Sequence, residues 1–153
     1  MTYKRILVPV DGSRASRLGL REAISLAKNQ KANLRLVHVV DEHNVVMTGA
    51  EVGVYMGDLI PLLQKSGRNI LRKAQSFVSR NGLKCTTVLL ETLAGPAADP
   101  IVRQAKKWGA QLIVIGTHGR RGVRRLVLGS DAEQIVRTSP VPVLLVRARE
   151  KRA

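Results

Sequence analysis

The alternation of short apolar segments with amphipathic helical patterns is the feature that most constrains the fold of this chain. Most of the apolar segments are continuous and rich in β-branched residues, as expected for strands that are covered on both faces. The connections are long enough for crossover helices, so the pattern predicts an open parallel sheet with helices on both faces. The predicted strands are Ile6–Val10, Leu34–Val40, Thr86–Leu90, Leu112–Ile115 and Val141–Val146.

Capping signals set the expected ends of two helices. Asp99 as N-cap and Pro100 as the first helical residue predict the start of the third helix, which Gly109 ends. The fourth helix is expected to begin at Ser130, because Ser130 and Glu133 have the spacing of a capping box.

Length and composition favour one domain. The chain has 153 residues, 44% of them hydrophobic, which is enough for one core and too few for two ordinary domains. No apolar run approaches the roughly 20 residues that span a bilayer, and the N-terminal segment lacks the pattern of a signal peptide. The single cysteine, Cys85, cannot form an intramolecular disulfide. We therefore expect a cytoplasmic domain over residues 1–148, followed by a basic tail at 149–153.

The charge balance makes polyanions candidate partners. The chain has 26 Lys and Arg residues against 11 Asp and Glu, a net charge of +15. Motifs that read nucleic-acid sequence are missing, and aromatic residues for base stacking make up only 3% of the chain. Nucleic acid therefore stays open only as a nonspecific partner, and a membrane partner is not expected.

Pro142 indicates where the last strand lies in the sheet. Proline has no N–H to donate to a neighbouring strand, so a strand that contains it belongs at a sheet edge. An exposed apolar edge can pair with the same edge of a second copy. The sequence thus predicts a homodimer through Val141–Val146.

The loops after the first and fourth strands are the expected site, because ligands of open α/β sheets bind where the strand order reverses. Gly116 and Gly119 allow a backbone to approach a ligand closely, and Gly129 with Ser130 places free N–H groups at a helix start. Two interpretations stay open: a phosphate-binding loop, or glycines that only turn the chain and a serine that only caps a helix. The G-x-G-x-x-G and G-x-x-x-x-G-K-[ST] motifs are absent, which argues against dinucleotide dehydrogenases and P-loop NTPases.

The spacing G-x2-G-x9-G-[ST], which begins at Gly116 and ends at Ser130, resembles the ATP-binding motif of the universal stress protein family. Other segments match that family in the same order: the opening YKRILVPVDGS, the segment LVHV, the stretch AQLIVIGTHG and the closing SPVPVLLV. The resemblance covers nearly the whole chain.

The resemblance implies a Rossmann-like sheet of order 3-2-1-4-5, usually dimeric through the fifth strand. It also implies a stress-response regulator or sensor that binds ATP or another adenine nucleotide, with Mg²⁺ or Mn²⁺ bound through the phosphates. Pro9, Asp11 and Val39 would face the adenine and ribose, and Ile115 and Gly116 the ribose. The phosphates would be held by backbone groups of Gly119, Gly129, Ser130 and Asp131. The implied binding residues are Pro9, Val10, Asp11, Val39, Ile115, Gly116, His118, Gly119, Arg120, Gly129, Ser130 and Asp131.

The glycine spacer carries four arginines between Arg120 and Arg125. They would either bind phosphates or form a solvated basic loop. No histidine-based metal motif is present, and Ser13 and Ser130 are interpreted as helix caps, so we assign no catalytic residue and no protein metal site. Slow ATP hydrolysis and polyanion association remain the alternatives to nucleotide-dependent regulation.

Overall fold

The computed structural model describes residues 1–42, 56–117 and 128–147. Strands and helices alternate along the chain, as the sequence predicts. In chain order the elements are β1 (Arg5–Pro9), α1 (Arg14–Gln30), β2 (Asn33–Asp41), α2 (Met56–Arg80), β3 (Cys85–Thr92), α3 (Ala98–Trp108), β4 (Leu112–Thr117), α4 (Ser130–Thr138) and β5 (Val143–Arg147).

The five strands form one parallel sheet in the order β3-β2-β1-β4-β5, which confirms the expected fold. Central strand β1 pairs with β2 on one side and β4 on the other. Leu7, for example, lies opposite Arg35 and Ile113. The chain moves outward from β1 to β3 and then returns past β1 to β4. The strand order therefore reverses between β1 and β4.

Two helical layers cover the sheet. Side chains of α1 and α2, such as Leu20 and Leu71, pack with Val8 and Leu36 on one face. Those of α3 and α4 pack with Leu7, Val37 and Ile113 on the other. Because neighbouring strand residues are buried on opposite faces, the strands are apolar without alternation, as the sequence pattern indicates. Among the described residues, no helix is long and apolar enough to cross a membrane.

The predicted Asp99 cap of α3 is wrong. The helix begins at Ala98, with Ala97 in the N-cap position and no side-chain hydrogen bond to cap it. The amide of Asp99 already donates to the carbonyl of Pro96 at 3.1 Å, so the helical turn starts before Asp99. Asp99 lies in the first turn, where a carboxylate is still favourable beside the helix dipole. The predicted end at Gly109, with φ of 67°, is confirmed.

The capping box predicted at Ser130 is also wrong. Gly129 is the N-cap of α4, and Ser130 is the first helical residue. The amide of Glu133 donates to the carbonyl of Gly129 at 2.9 Å, so a backbone bond takes the amide that a Ser130 cap would need. The carboxylate of Glu133 instead pairs with Arg137 at 2.8 Å.

The predicted edge position of the last strand is confirmed, although its start is not. β5 begins at Val143, and Pro142 lies just before it, with its carbonyl accepting a hydrogen bond from the amide of Ile113 at 3.0 Å. The first strand also ends earlier than predicted, at Pro9. Val10 follows β1 but still donates its amide to the carbonyl of Val37 at 2.8 Å.

A backbone contact joins α1 to the end of β4. A Cβ atom on Gly116 would lie 1.9 Å from the carbonyl oxygen of Ala15, and one on Gly19 would lie 2.8 Å from the amide nitrogen of Gly116. Both distances are far below a normal contact. Glycine at 116 is thus required by the packing of α1 against β4.

Gly116→Ala is expected to lower the free energy of unfolding by about 3 kcal/mol, because α1 must move away from β4. Gly82→Ala is a matched control, since Gly82 has a φ of 78° but nothing within 4 Å of an added Cβ. It should cost about 1 kcal/mol through backbone strain alone. Urea denaturation measures both, and equal losses would contradict the proposed contact.

Candidate nucleotide-binding cavity

A cavity of about 330 Å³ opens at the carboxyl ends of β1 and β4, where the strand order reverses. Residues from both helical layers and from three strands surround it. Its lining is Pro9, Val10, Asp11, Ser13, Ala15, Ser16, Val37, His38, Val39, Ala97, Ile101, Ile115, Gly116, Gly129, Ser130, Asp131, Ala132 and Ile135.

Local hydrogen bonds hold the loop between β1 and α1 in shape. The Asp11 carboxylate accepts from the amide of Ser13 at 2.8 Å, and the Asp11 amide donates to Oγ of Ser16 at 3.1 Å. Ser13 caps α1 by accepting from the amide of Ser16 at 3.1 Å. Gly12, with φ of 78°, provides the turn that these bonds require. The start of α1 is thereby fixed at the wall of the cavity.

His38 connects β2 to this loop. Its Nδ1 lies 2.7 Å from the carbonyl oxygen of Val10 and donates to it, since a carbonyl can only accept. Helix α2 packs closely on the imidazole ring: a Cβ on Gly67 would lie 2.8 Å from Cδ2 of His38. His38 is therefore a packed residue of β2, and its ring also lines the cavity.

The start of α4 forms the opposite wall. Gly129, Ser130 and Asp131 all line the cavity, and no side chain among the described residues caps this helix. The first amides of a helix have no partner within it, and the helix dipole is positive at that end. An anion in the cavity would satisfy both conditions.

Acidic groups gather beside this helix start. Partial burial, followed by the negative charges of Asp41 and Asp11, raises the pKa of Asp131 above its ordinary value of 3.8. Within residues 1–42, 56–117 and 128–147, no three His, Cys, Asp or Glu side chains are placed to hold a metal ion. The positive end of α4 is thus flanked by carboxylates.

Nine of the twelve predicted binding residues lie around this one cavity. His118, Gly119 and Arg120 lie outside the described residues, as do the rest of the arginine cluster and the basic tail at 149–153. The nine are Pro9, Val10, Asp11, Val39, Ile115, Gly116, Gly129, Ser130 and Asp131.

Sequence reasoning missed lining residues on α1, β2, α3 and α4. Val37 and His38 lie at the carboxyl end of β2, next to the predicted Val39. Ala97 and Ile101 belong to the start of α3, which reaches the same edge of the sheet from the other face. The rule that helices begin at the carboxyl edge of a parallel sheet would have found the start of α3.

The fold and the cavity define a class: an open α/β protein with a ligand site at the point where strand order reverses. The sequence pattern of the Universal stress protein family matches residues 2–147. The chain is 36% identical over 149 residues to universal stress protein MJ0531 of Methanocaldococcus jannaschii. The alignment covers 97% of this chain and 85% of that relative. The chain therefore belongs to the universal stress protein family.

Solved structures agree with this fold. Protein MJ0577 matches with a TM-score of 0.83 and 24% identity, covering 99% of this chain and all of that one. A universal stress protein of Archaeoglobus fulgidus, solved in complex with dAMP, matches with a TM-score of 0.65 and 25% identity, covering 95% of this chain and 98% of that one.

Asp131→Asn is expected to raise the free energy of unfolding at pH 7. A raised pKa means that ionised Asp131 is less stable in the folded protein than in the unfolded chain, and asparagine removes that charge. The advantage should shrink as the pH falls through the raised pKa and disappear below 3.8, where Asp131 is protonated in both states. Urea denaturation at several pH values tests this, and an advantage that grows on acidification would contradict it.

Proposed function

We propose that this protein binds an adenine nucleotide, with ATP as the expected ligand, in the cavity between β1 and β4. We further propose that it acts in the stress response as a nucleotide-dependent regulator or sensor. The observation that carries the proposal is the uncapped start of α4 in the wall of that cavity. The relative from Archaeoglobus fulgidus solved with dAMP supports adenine as the base. A cytoplasmic setting fits the free, half-buried Cys85.

The lining suggests how the nucleotide lies. Pro9, Val39 and Ile115 are half-buried apolar residues suited to the flat base and the ribose. The first amides of α4, from Ser130 onward, are suited to phosphate oxygens. In this orientation Asp11 lies on the nucleoside side, with one carboxylate oxygen already held by the amide of Ser13.

The acidic groups beside α4 bear on the ion that would accompany the phosphates. A triphosphate next to Asp131 and Asp41 meets like charge. Mg²⁺ or Mn²⁺ carried on the phosphates would offset this repulsion without a preformed protein site. We therefore propose that the divalent ion arrives with the nucleotide.

We assign no catalytic residue. The hydroxyl oxygen of Ser13 accepts the capping bond of α1, and Nδ1 of His38 is engaged with the carbonyl of Val10. Both groups therefore have structural partners. Binding with at most slow hydrolysis is the activity that we propose, which suits a sensor whose state depends on the bound nucleotide.

We also propose a homodimer through β5. This strand pairs with β4 on one side, and among the described residues nothing pairs with its other side. Its apolar residues Leu144 and Leu145 remain only half-buried. Pairing with β5 of a second copy would satisfy the free backbone groups of this edge and cover these side chains.

Ser130→Glu is expected to weaken ATP binding at least tenfold with only a small loss of stability. Ser130 is exposed, and the favourable effect of an acidic residue in the first turn of a helix offsets part of its repulsion from Asp131 and the neighbouring carboxylates. The added charge would nevertheless repel the phosphates. Isothermal titration with MgATP measures the affinity, and thermal unfolding measures the stability.

Ser25→Glu is the matched control, because Ser25 is exposed on α1 about 16 Å along the helix from Arg14 and adds the same charge away from the cavity. Its ATP affinity should stay within twofold of that of the unmodified chain. Equal affinity in all three proteins would refute the placement of the phosphates at α4.

Leu145→Asp is expected to convert the dimer to a monomer, because it places a charge on the paired edge. Leu62→Asp, at a leucine that is 61% exposed on α2, is the control that should leave the mass unchanged. Light scattering after gel filtration distinguishes them. A dimer that persists in Leu145→Asp contradicts the β5 interface.

A further inference from the structure

The positive charge of this protein is divided unequally between its two helical layers. α3 and α4 together carry four basic residues and three acidic ones. α1 and α2 carry nine basic residues and two acidic ones, Glu22 and Asp58. The basic residues of α1 and α2 are Arg14, Arg17, Arg21, Lys28, Lys65, Arg68, Arg72, Lys73 and Arg80, and all nine are exposed. We call the surface that they form the α1–α2 face.

On α1 the positive charges form a narrow stripe. At 100° per residue, Arg14, Arg17, Arg21 and Lys28 fall within an arc of roughly 60°, turned away from the buried side of the helix. The stripe is about 21 Å long from the first of these residues to the last. Glu22 lies outside this arc.

α2 repeats the arrangement. Lys65, Arg68 and Arg72 follow one another at spacings of three and four residues, which places them on successive turns of one side. The two helices lie side by side, since the guanidinium of Arg21 on α1 lies 5.9 Å from the ring centre of Phe77 on α2. Neighbouring packed helices have axes about 10 Å apart, so two basic rows run along this face.

We propose that the α1–α2 face binds the phosphate backbone of double-stranded DNA. The roughly 10 Å between the axes of neighbouring helices is close to the roughly 12 Å width of the major groove, so in this proposal each row meets the phosphates of one strand. Six of the nine basic residues are arginines, whose planar guanidinium group suits phosphate oxygens. The interaction would not depend on base sequence, because it contacts only the backbone.

Duplex DNA fits this face better than single strands or lipid. Binding of single strands uses exposed aromatic rings, and Phe77, the one aromatic residue of α1 and α2, is half-buried beneath Arg21. Binding at a membrane surface needs large apolar side chains among the basic ones. Among the described side chains of these helices, Leu62 alone is a large exposed hydrophobic.

The test compares two triple variants that each remove one arginine and two lysines. Lys28→Gln, Lys65→Gln and Arg72→Gln change the two basic rows of the α1–α2 face, while Arg103→Gln, Lys106→Gln and Lys107→Gln change α3 on the opposite layer. Fluorescence anisotropy with a mixed-sequence duplex of about two helical turns is measured between about 50 and 200 mM KCl. Circular dichroism and MgATP titration check that both variants fold and keep the cavity.

The α1–α2 triple is expected to bind DNA at least tenfold more weakly. The slope of log affinity against log salt concentration should become less steep by about 2 to 3, since each lost phosphate contact contributes about 0.9 to that slope. The α3 triple should stay within threefold of the unmodified chain. Equal losses in the two triples overturn the proposal, as does an unmodified chain that fails to bind the duplex at the lowest salt. Tighter binding to phosphatidylserine vesicles than to DNA at equal salt would assign the face to lipid and also overturn it.

Discussion

The contact between the backbones of α1 and β4 is the constraint on which the rest of the site depends. It brings Gly116 against Ala15 and Gly19 with no room for a side chain on Gly116. Because α1 begins directly after the β1 loop, this contact also fixes Asp11 and the Ser13 cap at the cavity wall. The sequence suggested that Gly116 lets the backbone approach a ligand, whereas the structure gives it a packing role. The packing role places the start of α1 beside the end of β4.

The sheet could be predicted because its strands have a simple pattern. Burial on both faces makes them continuous and apolar, and Pro142 marks the edge, although it precedes β5 instead of lying within it. The helix caps were harder to predict, because a cap depends on the residue at which the backbone hydrogen bonds of the helix begin. At Asp99 the helix starts before the expected cap, and at Ser130 a backbone bond takes the amide that the expected side-chain bond would use. Such shifts of one or two residues leave little trace in the sequence.

The residues of the site that a local sequence signal marks could be predicted, and the others could not. Residues that directly follow β1 or precede α4 were found from loop position and glycine spacing. His38 and Ala97 reach the cavity only through the strand order and through the side of the sheet on which α3 packs, so no local motif marks them. The division of charge between the two layers is likewise invisible in the totals of the chain, where basic residues are spread along the whole sequence.

The central claim is that the cavity between β1 and β4 holds an adenine nucleotide. Mass spectrometry of the small molecules released when the freshly purified protein is denatured tests this without assuming which nucleotide it is. The account predicts an adenine nucleotide in amounts that approach the amount of protein, or, if it is lost in purification, a thermal shift on addition of millimolar MgATP. A protein that releases no adenine nucleotide and shows no such shift would contradict the account.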